Sequence, residues 1–338
     1  MKAARIHSHG DRDVIKIDNI PIPEPQPGQV CINLKAAAMN HLDIWVRKGI
    51  VGVQLPMILG SDGSGVVIKT GDGVNRFSEG DEVVIQPLVY CGKCRQCMAG
   101  KENYCDKMGI LGESVDGTNC EYIVLDERFV EPKPAGLSFE EAAAFPLAGQ
   151  TAYQMLVKRA RIQPGETILV WGASSGVGHM AVQIAKAVGC KVIATAGSKE
   201  KCQFAKELGA DLVLDHYKDD VADKIKDFCG RVDVVFEHVG PKTWDTSMRV
   251  LNKGGRVVTC GATTGAAVSI DLRHLFSKQQ TVLGSTMGDA DSLTQIIKMV
   301  EKGQVIPKVD RIFSLEDIRS AHEYLERSNQ CGKVVLEI

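Results

Sequence analysis

Four cysteines within fifteen residues, Cys91, Cys94, Cys97 and Cys105, are the densest group of metal-ligating side chains in this chain. The spacing C-x2-C-x2-C-x7-C lets three thiolates converge from one loop and the fourth return to them, which suits a tetrahedral metal. Zinc is the natural guest, because four sulfurs leave no position open for ligand exchange or redox chemistry. Such a site holds together a lobe of about residues 91–105 and does no chemistry itself. An iron–sulfur cluster competes, but its usual bacterial run has C-x2-C-x2-C-x3-C-P, and neither that last spacing nor the proline is present. Disulfides fit less well. The chain has 11 cysteines, an odd number, and the other seven (Cys31, Cys120, Cys190, Cys202, Cys229, Cys260, Cys331) are scattered. Met1–Arg5 opens into a charged, His-containing stretch rather than an apolar leader. Unpaired, scattered thiols are expected of a cytoplasmic protein.

A second run carries nucleotide chemistry. The strand-like Thr167–Trp171 leads into Gly172-Ala173-Ser174-Ser175-Gly176-Val177-Gly178 and then a helical pattern. A strand, a turn of small residues and a helix N-terminus form a pyrophosphate site, since the backbone can approach the phosphates and the first-turn N–H groups point at them. The middle glycine of G-x-G-x-x-G is replaced by Ser174, so a merely structural turn is the competing reading. The next strand ends Ala194-Thr195-Ala196-Gly197-Ser198-Lys199-Glu200-Lys201, with no acid to bind a ribose 2′-hydroxyl. Ser198, Lys199 and Lys201 suit a 2′-phosphate instead, which favours NADP(H). On the plainer reading the two lysines are only the solvated first turn of a helix. His216, after the following strand, is assigned to the same pocket.

The elements that must position these groups change character along the chain. At 338 residues about two domains are expected. The first part reads as short strands: 30–34, 63–68, 81–85 and 121–125, with Pro21, Pro23, Pro25 and Pro27 forcing an extended surface segment. A small barrel-like β domain fits. From Ser138, which with Glu141 forms a capping box, helices alternate with buried strands: helices 140–145, 178–189 and 199–208, strands 167–171, 191–195, 211–214, 232–236, 255–259 and 280–283. That alternation predicts a doubly wound parallel sheet. Helices near 290–302 and 315–327 and a strand at 333–336 close the chain. The net charge of −2 gives no electrostatic case for nucleic acid or anionic membrane, and no apolar run approaches the roughly 20 residues of a membrane helix.

Gly60-x-Asp62-Gly63-x-Gly65-Val66-Val67, Gly80-Asp81-Glu82-Val83, the four-cysteine lobe, Gly149-x-Thr151-Ala152-Tyr153 and Gly172–Gly178 together resemble the zinc-type medium-chain dehydrogenase/reductase family. The resemblance covers essentially the whole chain. It implies an α/β protein with a GroES-like β-barrel catalytic domain (1–147 and 285–338) and a Rossmann domain (148–284), one structural zinc per subunit, a small-molecule substrate, and a homodimer or homotetramer. Thr151, and His238, Gly261 and Thr263 after later strands, fall where the family lines its cofactor pocket, and Lys333 resembles its basic residue near the pyrophosphate. Family alcohol dehydrogenases hold a second, catalytic zinc through a Cys in C-x-x-D, a His in G-H-E and a later Cys. The matching positions are Asn40, Ser61 and Leu147, and the relay hydroxyl position is Leu42. Asn-x-x-Asp and Gly-x-Asp-Gly resemble instead the quinone oxidoreductase and enoyl-reductase branch, which works without catalytic metal.

Reducing an isolated carbonyl concentrates charge on one oxygen, where a Lewis acid contributes several kcal/mol. Hydride addition to the β-carbon of a conjugated C=C spreads the charge over an enolate that hydrogen bonds can stabilise. The expected reaction is therefore NADPH-dependent reduction of an enone, quinone or enoyl thioester. Asn40, His41, Asp43 and Asp62 are the catalytic candidates: Asn40, His41 or a cofactor hydroxyl to hold the carbonyl, His41 or solvent to protonate the α-carbon, Asp43 to organise the loop by hydrogen bonding, and Asp62 to pair with a nearby base or to cap a turn. Trp45 is a candidate pocket wall. The alternatives are a zinc alcohol dehydrogenase with unusual ligands, such as His41 and Asp62, and a non-enzymatic NADPH-binding or RNA-binding, crystallin-like relative.

Overall fold

The computed structural model describes residues 1–338. The chain divides into two units, one of Met1–Leu147, Asp289–Ile297 and Pro307–Ile338, the other of Ala148–Gly288 and Lys298–Ile306. Residues 285–288 and 298–306 thus fall in the second unit, beyond the boundary drawn from sequence. Gln183, in the second unit, both donates to Ile306 O (3.1 Å) and accepts from Ile306 N (2.8 Å), which ties that late segment to it.

The first unit is built on a seven-stranded sheet in the order Val130–Pro132, Glu82–Ile85, Asp62–Thr70, Gln29–Ala38, Lys333–Glu337, Val309–Ser314, with Tyr122–Asp126 also paired to Gln29–Ala38. The long central strand is shared. Its first half pairs with Tyr122–Asp126 (Gln29 opposite Asp126, Asn33 opposite Tyr122), and its end pairs with the C-terminal strand (Val335 opposite Ala38). One strand serving two neighbours curls the sheet around a core that includes Ile32, Leu34, Val67, Val83, Ile85 and Val130. The same end of the strand pairs Ala38 with Asp62. Asn40, Asp62 and Lys333 are therefore gathered at one strand end by register alone.

A helix absent from the sequence expectation, His41–Lys48, follows at once. Its signal is Asn40-x-x-Asp43, a capping box in which the Asn40 N–H donates to Asp43 Oδ2 (2.7 Å). Gly49, at φ 116°, ends it with its N–H on Trp45 O and Val46 O.

The second unit is a six-stranded parallel sheet in the order Leu212–Asp215, Lys191–Ala196, Thr167–Val170, Val232–Glu237, Leu251–Thr259, Thr281–Gly284. Its inner strands Thr167–Val170 and Lys191–Ala196 are buried almost throughout, as a sheet covered by helices on both faces requires. Leu169, Ile193, Val235 and Val257 lie in its core. The Ser138–Glu141 capping box is present, but its helix stops at Ala143 and a second begins at Pro146 and runs to Tyr153. Proline at a first helical position is compatible with starting a helix and not with continuing one.

Candidate functional site

The four cysteine sulfurs converge, all within 4.8 Å of one another. Cys94 and Cys97 are 3.5 Å apart, Cys91 and Cys105 3.6 Å, Cys91 and Cys97 3.9 Å. Tetrahedral zinc with bonds of about 2.3 Å demands sulfurs ~3.8 Å apart, so the set fits zinc and is too open for disulfides. Backbone N–H groups of Lys93 and Cys94 draw the Cys91 thiol down to about 6. Burial, with the neighbouring sulfurs, pushes Cys97 up to about 12. Four thiols this close cannot all ionise without a cation, and a dication removes the conflict. No other group of three or more His, Cys, Asp or Glu side chains converges in the chain.

The positions matched to a second metal make protein contacts of their own. Ser61 is buried and its hydroxyl donates to Leu111 O (2.7 Å). Leu147 contributes its backbone N–H, which donates to Asp62 Oδ1 (2.7 Å). The other oxygen of Asp62 accepts from Asn40 Nδ2 (2.9 Å) and from Lys333 Nζ (2.9 Å), and Lys333 Nζ also donates to Asn40 Oδ1 (2.6 Å). Asp62 is 0% and Lys333 2% exposed. Lys333, matched in sequence to a basic residue near the pyrophosphate, makes both of these bonds because the register that pairs Val335 with Ala38 carries it opposite Asn40.

Asp43 is buried and caps the helix from inside, and burial pushes its carboxyl up to about 6 against the opposing pull of the Asn40 N–H and the Lys333 charge. His41 begins the helix, half-buried, with its ring 6.0 Å from the Trp45 ring in an edge-on arrangement. Trp45 is exposed.

In the second unit the strand Thr167–Val170 opens into the glycine turn. Ser175 caps the thirteen-residue helix Gly176–Val188 by accepting from Gly178 N (3.0 Å). Gly178 has no room for a side chain: a Cβ there would lie 2.2 Å from Gly172 O. The turn is pinned from the next strand, with Gly172 N donating to Thr195 Oγ1 (3.2 Å) and Ala173 N to Thr195 O (2.9 Å). Ser174 is buried within the turn, while Gly176 and Val177 are partly open at the helix start. The arrangement is a long helix N-terminus behind a close-packed turn, which favours an anion.

At the end of the next strand, Ser198 caps the helix Lys199–Glu207, with Lys199 exposed and Lys201 half-buried. His216 Nδ1 contacts Thr195 Oγ1 (3.3 Å), and burial lowers its pKa, partly opposed by Asp215. Tyr217, which the sequence reading missed, stands beside it, 81% exposed, with the two rings 4.5 Å apart. A Cβ on Gly197 would lie 2.7 Å from Tyr217 and 3.0 Å from His216, so this glycine is required by their approach.

His238 Nε2 contacts Trp171 O (2.9 Å), and burial lowers its pKa. Against a carbonyl this nitrogen must carry the proton. Thr263 Oγ1 donates to His238 O (3.0 Å), and a Cβ on Gly261 would lie 3.0 Å from that same oxygen. The residue that holds this loop was not anticipated. Glu237, fully buried, accepts from Val239 N (2.6 Å), Gly240 N (3.1 Å), Thr243 Oγ1 (2.8 Å) and Ser247 Oγ (2.9 Å). Thr151 is buried with its hydroxyl oxygen unpartnered.

Comparison with known proteins adds the following. The Alcohol dehydrogenase GroES-like domain profile matches residues 26–135 and the Zinc-binding dehydrogenase profile residues 176–302. An alcohol dehydrogenase of Rhizobium meliloti is 35% identical over 344 residues, covering 100% of this chain and 99% of that one. A crotonyl-CoA reductase of Streptomyces avermitilis is 31% identical over 369 residues, covering 96% of this chain and 82% of that one. A solved structure described as an NAD-dependent alcohol dehydrogenase shares 43% identity and a TM-score of 0.97, each chain covered 100%.

Proposed function

Because this chain belongs to the zinc-type medium-chain dehydrogenase/reductase family, we propose that it uses NADP(H) to reduce an activated double bond or quinone without a catalytic zinc. The observation that carries the reading is the buried ammonium of Lys333, bonded to Asp62 and Asn40 at the place where a second zinc would need ligands. Serine and leucine at the other two ligand positions offer no thiolate or imidazole, and Asp62 already accepts three N–H donors. A dication would have to displace a tethered cation, so the residues present do not fit it. Zinc belongs instead to the four-cysteine lobe, where it stabilises the fold.

When bound, the reduced nicotinamide supplies the hydride. The protein's part is to hold the acceptor. Hydrogen bonds suffice for an enolate oxygen, whereas a simple alkoxide calls for a stronger charge. Asn40 is the donor that the site offers to a conjugated carbonyl, with His41 beside it to hand a proton to the α-carbon. Thr151, His238 and Thr263 form the wall for the nicotinamide, and Ser175–Gly178 the seat for the pyrophosphate. The absence of an acid after Ala196, with Ser198, Lys199, Lys201 and Tyr217 around the strand end, supports a 2′-phosphate and hence NADP(H). The crotonyl-CoA reductase relative supports reduction of a conjugated double bond. We retain a homodimer or homotetramer as the proposed assembly.

The second reading, a zinc-dependent alcohol dehydrogenase, is favoured by the names of the R. meliloti relative and the 43%-identical structure. Turnover of 2-cyclohexen-1-one, 1,4-benzoquinone, crotonyl-CoA, simple aldehydes and alcohols with NADPH and with NADH separates the two, together with metal analysis. One zinc per subunit and NADPH-dependent reduction of a conjugated substrate are expected. Two zincs, with activity on simple alcohols lost on chelation, would establish the second reading, and preference for NADH would overturn the 2′-phosphate assignment.

A further inference from the structure

The Asn40 carboxamide has only one orientation open to it. Its oxygen faces Lys333 Nζ, which can only donate, and its nitrogen faces Asp62 Oδ2, which as a carboxylate can only accept. Turning the amide over would set N–H against ammonium and oxygen against oxygen. One N–H is spent on Asp62. The other makes only a 3.4 Å contact with Ala38 O, long for a hydrogen bond. Lys333 and Asp62 lie fully behind the surface while Asn40 is half-buried. A buried ion pair is a poor source of stability compared with apolar residues of similar size, so its effect on orientation is the more informative property. We infer that Lys333 is a positioning residue, which with Asp62 locks the Asn40 carboxamide so that its second N–H is presented to the substrate carbonyl oxygen. A charge tethered to the C-terminal strand thus takes over, through Asn40, the orienting role that a metal and its ligands would have. The whole device depends on strand register, since Lys333 and Asn40 are 293 residues apart in sequence.

The inference rests on the proposed reduction of conjugated substrates, and the assay separates the two. Failure of the wild-type protein to reduce 2-cyclohexen-1-one, 1,4-benzoquinone or crotonyl-CoA with NADPH sinks the functional reading, and this inference with it. Failure confined to the variants sinks the inference alone. In Lys333→Met combined with Asp62→Asn, both charges go together and the amide is free to turn. With displacements on the ångström scale costing about 10²-fold, kcat is expected to fall by that order while KM for NADPH changes less than about twofold. Adding Asn40→Ala should then cost almost nothing further, because the amide is already misplaced. Retained kcat overturns the inference, as does a full additional loss on adding Asn40→Ala. A raised KM for NADPH with kcat unchanged would return Lys333 to the pyrophosphate. Should the double variant not fold, Lys333→Arg serves. It keeps donors for both partners and should hold most of kcat, and a loss as large as that of Asn40→Ala alone counts against the proposal.

Discussion

Asp43 offers a sharp physical test, because its burial and its chemistry pull in opposite directions. Its carboxyl is 1% exposed and is pushed from the ordinary 3.8 to about 6. A rise of about two units corresponds to about 3 kcal/mol of preference for the protonated form in the fold. The folded chain therefore holds a proton that the unfolded chain releases between about pH 4 and pH 6, and stability falls as pH rises through that window. In Asp43→Asn the amide oxygen can still accept the Asn40 N–H that caps the helix His41–Lys48, while the titration is gone. The variant should gain on the wild type by up to about 3 kcal/mol between pH 4 and pH 7. Denaturant unfolding of both proteins at matched pH values measures it, and the pH dependence of zinc binding cancels in the difference because it is common to both. Parallel stability profiles would refute the reasoning and place Asp43 in a wetter, better-paired setting. Turnover should survive the substitution, since the carboxyl caps a helix rather than reaching the substrate.

Cys94→Ser should lower zinc content and the unfolding midpoint before it touches chemistry, read by metal analysis and thermal unfolding; a stable, zinc-replete but inactive variant contradicts a purely structural lobe. Lys199→Ala with Lys201→Ala should raise KM for NADPH about tenfold or more, as loss of charge-assisted bonds does, and leave KM for NADH nearly unchanged. An equal effect on both cofactors would show the lysines to be only a solvated helix turn. Thr151→Val removes a buried hydroxyl that has no partner in the protein, so stability should hold or rise while KM for the cofactor rises; an unchanged cofactor KM would confine Thr151 to packing.

What the sequence disclosed and what it withheld divide along contact distance. The four-cysteine lobe and the glycine turn are local: their ligating or capping groups lie within a few residues, so spacing alone implied their geometry. The parallel sheet was legible for the same reason, each strand followed closely by its helix. The helix His41–Lys48 is local too, but in the sequence Asn40-x-x-Asp43 reads as a site motif, and the capping box that it also forms shows only in the structure. The identity of the group at the second metal position was not local. Asn40, Ser61 and Leu147 are read directly from the sequence, whereas the ammonium beside Asn40 comes from Lys333, delivered by the pairing of the last strand with Gln29–Ala38.

Glu237 was hidden for a related reason: a lone acid at a strand end looks solvated until Thr243 and Ser247, one and two turns into the next helix, are seen to bond it. Both cases follow from the same physics. A buried charge is tolerated only where donors or an opposite charge meet it, so an ionisable residue in an apolar strand implies partners somewhere in the fold. Lys333 opens the apolar run Val334-Val335-Leu336, and Glu237 follows Val234-Val235-Phe236. Each posed the question of its partner in the sequence, and only strand register and helix phase could answer it.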